Sequence, residues 1–432
     1  MKTLIKGGHV VSAGSGINDK RDILIENGKI SAIAPSIDDI EDITGAEVIS
    51  AEGKYVLPGF VDMHCHLRDP GFEYKEDIES GTKSAAAGGF TSVACMPNTN
   101  PVADNQSVIR YIINKAEKDG IVNVYPIGAI TKGQLGEELA EIGEMKFAGA
   151  VGISDDGNSV KNSAVMKRAL QYASMFDIIV ISHCEDTDLS DGGYMNEGVQ
   201  STLMGLKGIP SAAEEIIVSR DIILSEYTNA PVHIAHVSTA LSVDLIRNAK
   251  KRGVKVTAET CPHYFTLTEE ACEGFNTLAK VYPPLRREKD LEAVMEGLKD
   301  GTIDVIATDH APHHIDEKNV EFGLAANGFI GFETAFSLAV TRLVKTGYLD
   351  IEGLVEKMCL NPSRLLGLNK GCIEKGRSAD ITIVDLDENY KVDVSKFKSK
   401  AKNSPYNGFD VFGTVLYTIV GGKTIVREKI LL

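Results

Sequence analysis

The feature that most constrains the fold is an ordered alternation. Between residues 56 and 368, apolar strand-like runs alternate with amphipathic helical patterns. The runs are "YVLPGFVDMHCH", "GFTSVACMPN", "NVYPIGAI", "GAVGISDDG", "DIIVISHCE", "PVHIAHVS", "VKVTAETCPHYF" and "DVIATDHAPH". Among the helical patterns are "SVIRYIINKAEKDG", "SAVMKRALQYASMFD", "ALSVDLIRNAKKRG" and "LEAVMEGLKDG", several closed by glycine, a usual helix stop. Eight such units predict an α/β chain folded as a (β/α)8 TIM barrel, with a doubly wound sheet as the other arrangement. Both flanks read differently. "TLIKGGHVV", "DILIENGKISAIA" and "AEVISAEGKYVLPG" at the start, and "ADITIVDLD" and "GTVLYTIVGGKTIV" at the end, are strand and hairpin material with turns such as Asn27-Gly28. The expected organisation is a barrel over 56–368 and one small β-sandwich built from 1–55 and 369–432.

The strand ends carry the chemistry. Nearly every run stops on unusual polar residues: His64/His66, Asn98, Asp155/Asp156, His183, His236, His263 and Asp309. In a barrel these ends form one rim, where active sites sit. His64 and His66 are two apart, so on a strand they face the same way and can share an ion; two partly exposed histidines are the plainer reading. A lone histidine on an apolar strand is more often a core residue, but His183 and His236 end two different strands. Asp309 closes an apolar run, and a buried carboxylate is costly unless paired, protonated or on a metal. Four histidines and an aspartate are too many for one closed tetrahedral zinc. They suit two metals, which need a bridging anion. Asp155 and Asp156 in "SDDG" offer one, although Asp-Gly is also turn chemistry.

Composition narrows the partners. With 45 Lys+Arg against 61 Asp+Glu the net charge is -16, which argues against nucleic acid or an anionic membrane surface. It leaves open an anionic small molecule held by local arginines. Seven cysteines without CxxC pairs are not a disulfide framework. The N-terminus lacks the apolar stretch of a signal peptide, and no run approaches a membrane span. A cytoplasmic protein is expected.

The set "FVDMHCHLRDPG", "MPNT", "SDDG", "HCED", "HVST", "PPLR" and "ATDHAPH" resembles the amidohydrolase superfamily. Within it, the set is most similar to dihydroorotases with an aspartate on the fourth strand, and the motifs run in order over the whole chain. Hydantoinases and allantoinases usually carry a carboxylated lysine there, and "GAVGISDDG" has no lysine. The resemblance implies a TIM barrel with a β-sandwich from both termini. It implies reversible cyclisation of N-carbamoyl-L-aspartate to L-dihydroorotate in pyrimidine (UMP) biosynthesis, through a hydroxide bridging two metals. Two zinc ions per subunit are expected, one allowed to bind weakly. His64, His66 and Asp309 would hold one and His183 and His236 the other. Asp156 would bridge, with Asp155 as the fallback.

In the same resemblance Asp309 is the catalytic proton carrier. Arg68 would meet the substrate carboxylate, since a guanidinium fork matches it bidentately. His66, Asn98, His313, Asn327 and Gly328 match the other substrate contacts. The family usually has asparagine where Tyr282 stands in "VYPPLR", so Tyr282 either takes another contact or alters recognition. "GVQSTLMGLKGIPSAAEE" resembles a mobile segment that closes over the site, and a homodimer is the expected assembly. The competing expectations are another cyclic-amide hydrolase, such as hydantoinase or allantoinase, and a non-catalytic protein of the same fold. Arg68 discriminates the first, because a hydantoin has no carboxylate for it to meet.

Overall fold

The computed structural model describes residues 2–37 and 43–432. Its centre is an eight-stranded sheet whose strands pair in chain order: β1 (Phe60–Cys65), β2 (Phe90–Cys95), β3 (Asn123–Gly128), β4 (Gly152–Ser154), β5 (Ile179–Ser182), β6 (Val232–Ile234), β7 (Val256–Thr260) and β8 (Val305–Ile306). Every neighbouring pair is parallel. Each of the eight apolar runs supplies one strand. Each strand leads to a helix: α1 (Ile78–Ala87), α2 (Gln106–Asp119), α3 (Ile142–Ala148), α4 (Ser163–Ser174), α5 (Ala212–Thr228), α6 (Ala240–Lys251), α7 (Glu288–Lys299) and α8 (Phe332–Ala339). The expected α/β barrel is the fold, and the doubly wound alternative is excluded because the sheet closes. Cys65 bridges His310, and the Asp309 and His66 N–H groups donate to His64 O and His310 O, each at 2.9 Å. A buried carboxylate fastens the same seam: Asp62 accepts from Thr308 N (3.0 Å) and Thr308 Oγ1 (2.6 Å). Burial drives the Asp62 carboxyl up to about 7, against these hydrogen bonds.

Side-chain alternation fills both faces of the barrel wall. Met63, Ala94, Ile127, Ile181, Ala235 and Val305 form an inner apolar cluster. Val93, Val180, Val232 and Ala258 belong to an outer cluster with helix residues such as Ile109, Ile246 and Val294. This is the packed interior of a small barrel rather than a pore. Cys65, between the two histidines of β1, joins the outer cluster. All seven cysteines are free thiols and six are buried. Among the described residues no helix is long and apolar enough to cross a membrane.

The termini meet in one nine-stranded sheet. Lys2–Ser12 pairs antiparallel with Ile17–Glu26 and parallel with Glu47–Ser50 and Tyr55–Pro58. Tyr55–Pro58 in turn pairs antiparallel with Ile381–Lys391 from the other end of the chain. The expected Asn27-Gly28 turn joins Ile17–Glu26 to Lys29–Ala34, both turn residues lying at positive φ (51° and 80°), as a two-residue hairpin requires. A shared core of Ile5, Val10, Ile23, Ile373, Ile381 and Ile419 binds the two halves.

Candidate metal centre and active site

The strand ends converge at the C-terminal rim. His64 and His66 come from β1, Asp156 from just beyond β4, His183 from β5, His236 from β6 and Asp309 from beyond β8. All six are buried. Asp156 is the hub. Its Oδ1 lies 3.2 Å from His64 Nε2, 3.5 Å from His183 Nδ1 and 3.6 Å from His236 Nε2, and its Oδ2 lies 3.5 Å from His66 Nε2. Asp309 Oδ1 is 3.1 Å from His66 Nε2 and 3.6 Å from His64 Nε2. The polar atoms form two groups that share one carboxylate: His64, His66 and Asp156, and Asp156, His183 and His236. Asp155 turns away. Its carboxylate accepts from the Ile130 and Thr131 N–H groups and from Thr131 Oγ1. Of the two aspartates in "SDDG", only Asp156 is aimed at the histidines.

The outer nitrogens of three imidazoles fix what the inner ones can do. His64 Nδ1 meets Glu259 Oε1 at 2.6 Å, His66 Nδ1 meets Asn98 Oδ1 at 2.9 Å, and His183 Nε2 meets Glu185 Oε2 at 3.3 Å. An oxygen acceptor on one ring nitrogen places a proton there, and in the neutral ring the other nitrogen keeps its lone pair for an ion. Those lone pairs all point inward. His64 Nε2 is buried without a hydrogen-bond partner. His183 Nδ1 and His236 Nε2 face each other at 2.8 Å. Converging nitrogen lone pairs beside two carboxylates fit a divalent cation, and the His/Asp donor set is one that such ions accept. Burial alone pushes the Asp156 carboxyl up, but the surrounding His64, His183 and His236 hold it well below the usual carboxylate range.

Backbone geometry contributes as well. Arg68, His236 and Asp309 lie at positive φ (60°, 36° and 44°), a region non-glycine residues seldom occupy and one that costs on the order of 1–3 kcal/mol each. These strained positions lie where the chain leaves a strand and must turn a side chain into the rim.

A cavity of about 500 Å³ opens onto the centre, lined by His66, Asp156, His183, His236 and Asp309 and also by Arg68, Asn98, Tyr282, His313, Asn327 and Gly328. Every predicted substrate contact therefore faces the same space. Arg68 is not paired with its neighbour Asp69, whose carboxylate takes the Tyr111 hydroxyl at 3.1 Å. Its Nε donates to Pro312 O (3.1 Å), and its terminal NH2 lies 3.4 Å from His313 Nε2. His313 donates from Nε2 to Asn327 O at 2.8 Å. Burial and then the Arg68 charge bring its pKa down to about 2, so the ring is neutral. Gly328, at φ 109°, lies so close to the barrel that a Cβ there would sit 2.6 Å from Ala311 Cβ. Asn98 lines the cavity yet spends its oxygen on His66, so it is an orienting group as well as a wall.

Tyr282 takes a different contact from the one an asparagine would offer. Its hydroxyl donates to Glu185 Oε1 at 2.6 Å, which ties it to His183 through Glu185. His263, although at a strand end, is not brought to the cavity; it packs against Tyr264 and Phe329. The segment expected to close over the site, residues 198–215, holds a short helix (Val199–Met204) and does not line the cavity; Thr187, Ser190, Gly192 and Gly193, just ahead of it, do.

Sequence reasoning missed Glu259, Glu185 and His233. Glu259 is fully buried on β7 and bridges His64 to His233 Nε2 (3.2 Å), whose Nδ1 reaches Thr257 Oγ1 at 2.8 Å. The signal was present: an acid inside the apolar "VTAET" run is as costly as Asp309 in "VIATD".

A closed (β/α)8 barrel with four histidines and two aspartates gathered at its C-terminal rim defines a metal-dependent amidohydrolase. Comparison with known proteins narrows the class. The dihydro-orotase-like family model matches residues 53–242. Dihydroorotase from Acetivibrio thermocellus is 72% identical over 429 residues, covering 99% of this chain and 100% of the relative. Dihydroorotase from Ruminiclostridium cellulolyticum is 66% identical over 432 residues, covering 100% of both. Among solved structures, L-hydantoinase from Arthrobacter aurescens superposes with a TM-score of 0.89 at 28% identity, covering 100% of this chain and 97% of that one. The chain belongs to the dihydroorotase family. Its identity to dihydroorotases far exceeds that to the hydantoinase, so the hydantoinase alternative is not favoured.

Proposed function

We propose that the chain catalyses the reversible cyclisation of N-carbamoyl-L-aspartate to L-dihydroorotate and water, the dihydroorotase reaction of pyrimidine biosynthesis. The barrel over 56–368 is the catalytic unit, except that its first residues, 56–58, pair into the β-rich support built from 1–55 and 369–432. The observation that carries the reading is the full-length 72% identity to a dihydroorotase, and the cavity that joins Arg68 to Asp156 and Asp309 supports it.

His64, His66 and Asp309 would hold one zinc ion, His183 and His236 the other, and Asp156 both. When bound, such cations would supply a water acidic enough to ionise near neutral pH and would polarise the substrate carbonyl. The chain's residues do the rest. Glu259, Asn98 and Glu185 keep the outer N–H of His64, His66 and His183 occupied, so their inner nitrogens remain ligands. Arg68 receives the carboxylate carried on the ring, with His313 and the Asn327-Gly328 backbone beside it, and so orients the scissile amide. Asp309 moves the proton: in ring opening its Oδ takes a proton from the attacking water and gives it to the departing ring nitrogen. Burial raises the Asp309 carboxyl, but His66 and His64 outweigh it and keep the carboxylate available as a base. In ring closure the same oxygen takes the proton from the carbamoyl nitrogen.

The test is direct. The purified protein should turn over dihydroorotate and not hydantoin, and elemental analysis should find two zinc ions per chain. Turnover of hydantoin without dihydroorotate would refute the substrate assignment, and a folded, active protein without divalent metal would refute the centre.

A further inference from the structure

Two lysines are buried behind the cavity wall without an acid to neutralise them. Lys280 is 4% and Lys318 1% exposed, and neither forms an ion pair among the described residues. Lysine is almost never buried without a partner, because desolvating an ammonium is costly. Here the partners are backbone carbonyls. Lys280 Nζ donates to Phe322 O (2.7 Å), Gly323 O (3.2 Å) and Ala325 O (2.7 Å). Lys318 Nζ donates to Lys280 O (3.3 Å), Ala326 O (2.7 Å) and Gly328 O (3.1 Å). Five of the seven carbonyls of residues 322–328 thus end on an ammonium group, and a sixth, Asn327 O, ends on His313.

This segment has no helix or strand of its own, so its backbone groups need outside partners. It carries Asn327 and Gly328 into the cavity wall beside Arg68. The Gly328 N–H also donates to Lys280 O at 2.9 Å, so the two lysines grip the segment from both its donors and its acceptors. Lys280 Nζ additionally lies over the ring of Tyr194, 5.4 Å from its centroid, and Tyr194 directly follows Gly192 and Gly193, which also line the cavity. Burial lowers both groups, Lys280 to about 8 and Lys318 to about 7, so both carry their charge at pH 6 and Lys318 loses it as pH rises above neutrality.

We propose that Lys280 and Lys318 are positioning residues that clamp residues 322–328 into the wall at the anion-binding end of the cavity, and that their charge raises the affinity of that end for an anionic substrate without touching it. A carboxylate beside Gly328 would meet carbonyls that are turned onto ammonium groups and His313 instead of toward the cavity, which lessens their repulsion of an anion. This rests on the dihydroorotate reading above, and the experiment separates the two.

Wild-type turnover of dihydroorotate is measured first; its absence counts against the reading of function. Lys318→Met and Lys280→Met are then compared by kinetics and by amide hydrogen exchange. The expected result is a rise in KM of about tenfold or more, as for loss of hydrogen bonds to a charged group, with kcat within about threefold. Exchange at residues 322–328 should accelerate while the barrel strands stay protected. Unchanged exchange in that segment overturns the clamp whatever the activity, and so does a loss confined to kcat. Should a variant fail to fold, the wild-type enzyme supplies the deciding measurement: dihydroorotate must slow exchange at residues 326–328, and absence of that protection overturns the proposal.

Discussion

Glu259→Gln isolates the role of an orienting acid from that of a ligand. Glu259 touches His64 Nδ1 at 2.6 Å and His233 Nε2 at 3.2 Å, with all three side chains at 0% exposure. Burial alone pushes its carboxyl up, yet His64 and His233 bring it down to about 2, so it is an anion in the folded protein. Glutamine keeps the shape. Its oxygen still accepts the His64 Nδ1 proton, and its amide can donate to His233 Nε2 while His233 Nδ1 turns donor to Thr257. What disappears is the charge. A hydrogen bond to a charged group contributes about 1.5–3 kcal/mol and a neutral one about 0.5–1.5, a loss of about 1–1.5 kcal/mol. That corresponds to roughly tenfold in affinity, at the lower end of the 10–100-fold seen for loss of such partners (about). Because Glu259 reaches His64 and none of the other proposed ligands, the loss should fall on one ion per chain. Competition with a chromophoric chelator reports both affinities, and a thermal melt of the metal-free protein controls for folding. Two unchanged affinities, or equal weakening of both ions, would refute the reasoning.

Three further outcomes are expected. Asp309→Asn should fold and retain most metal, yet lose about 10²–10⁴ in kcat because an amide cannot carry the proton; near-native turnover contradicts that role. Arg68→Met should raise KM for dihydroorotate by about 10–100-fold, the value of a charged hydrogen-bonded contact; a change below about threefold removes Arg68 from the carboxylate. Glu333, which does not line the cavity of the candidate centre, tests buried charge: its Oε1 accepts from Ser84 Oγ (2.8 Å), Lys398 N (2.6 Å) and Ser399 N (3.2 Å). Burial raises its carboxyl to about 7 despite these bonds. A carboxyl raised on folding keeps its proton in the native state between its unfolded value of 4.5 and about 7, so its contribution to stability falls as pH rises through that window. Glu333→Gln, which keeps the same acceptor, should therefore gain in melting temperature over the parent at pH 8 relative to pH 5, and a pH-independent difference rejects the assignment.

The barrel and the six candidate ligands were legible because both depend on short-range pattern. An apolar run of strand length is visible in one window, and a histidine or aspartate at its end is conspicuous because burial there is costly. Asp156 over Asp155 was legible only through resemblance, since a neighbour pair cannot be separated by spacing; the three-dimensional answer is that Thr131 and its neighbours occupy Asp155. The partners of the ligands were harder to read for the same reason. Glu259 lies 195 residues from His64, and nothing local to "VTAET" says which imidazole it will meet. Tyr282 shows the limit most clearly. From sequence it reads as either a new contact or altered recognition, whereas in the folded chain the phenol donates to Glu185, which also meets His183. On the function proposed above, a phenol tied to the ligand network would leave recognition of the substrate to Arg68, His313 and the 322–328 segment. On that proposal the two buried lysines would matter more in this chain than the motifs alone suggest, because the wall that they hold would be the part of the cavity left to recognise an anion.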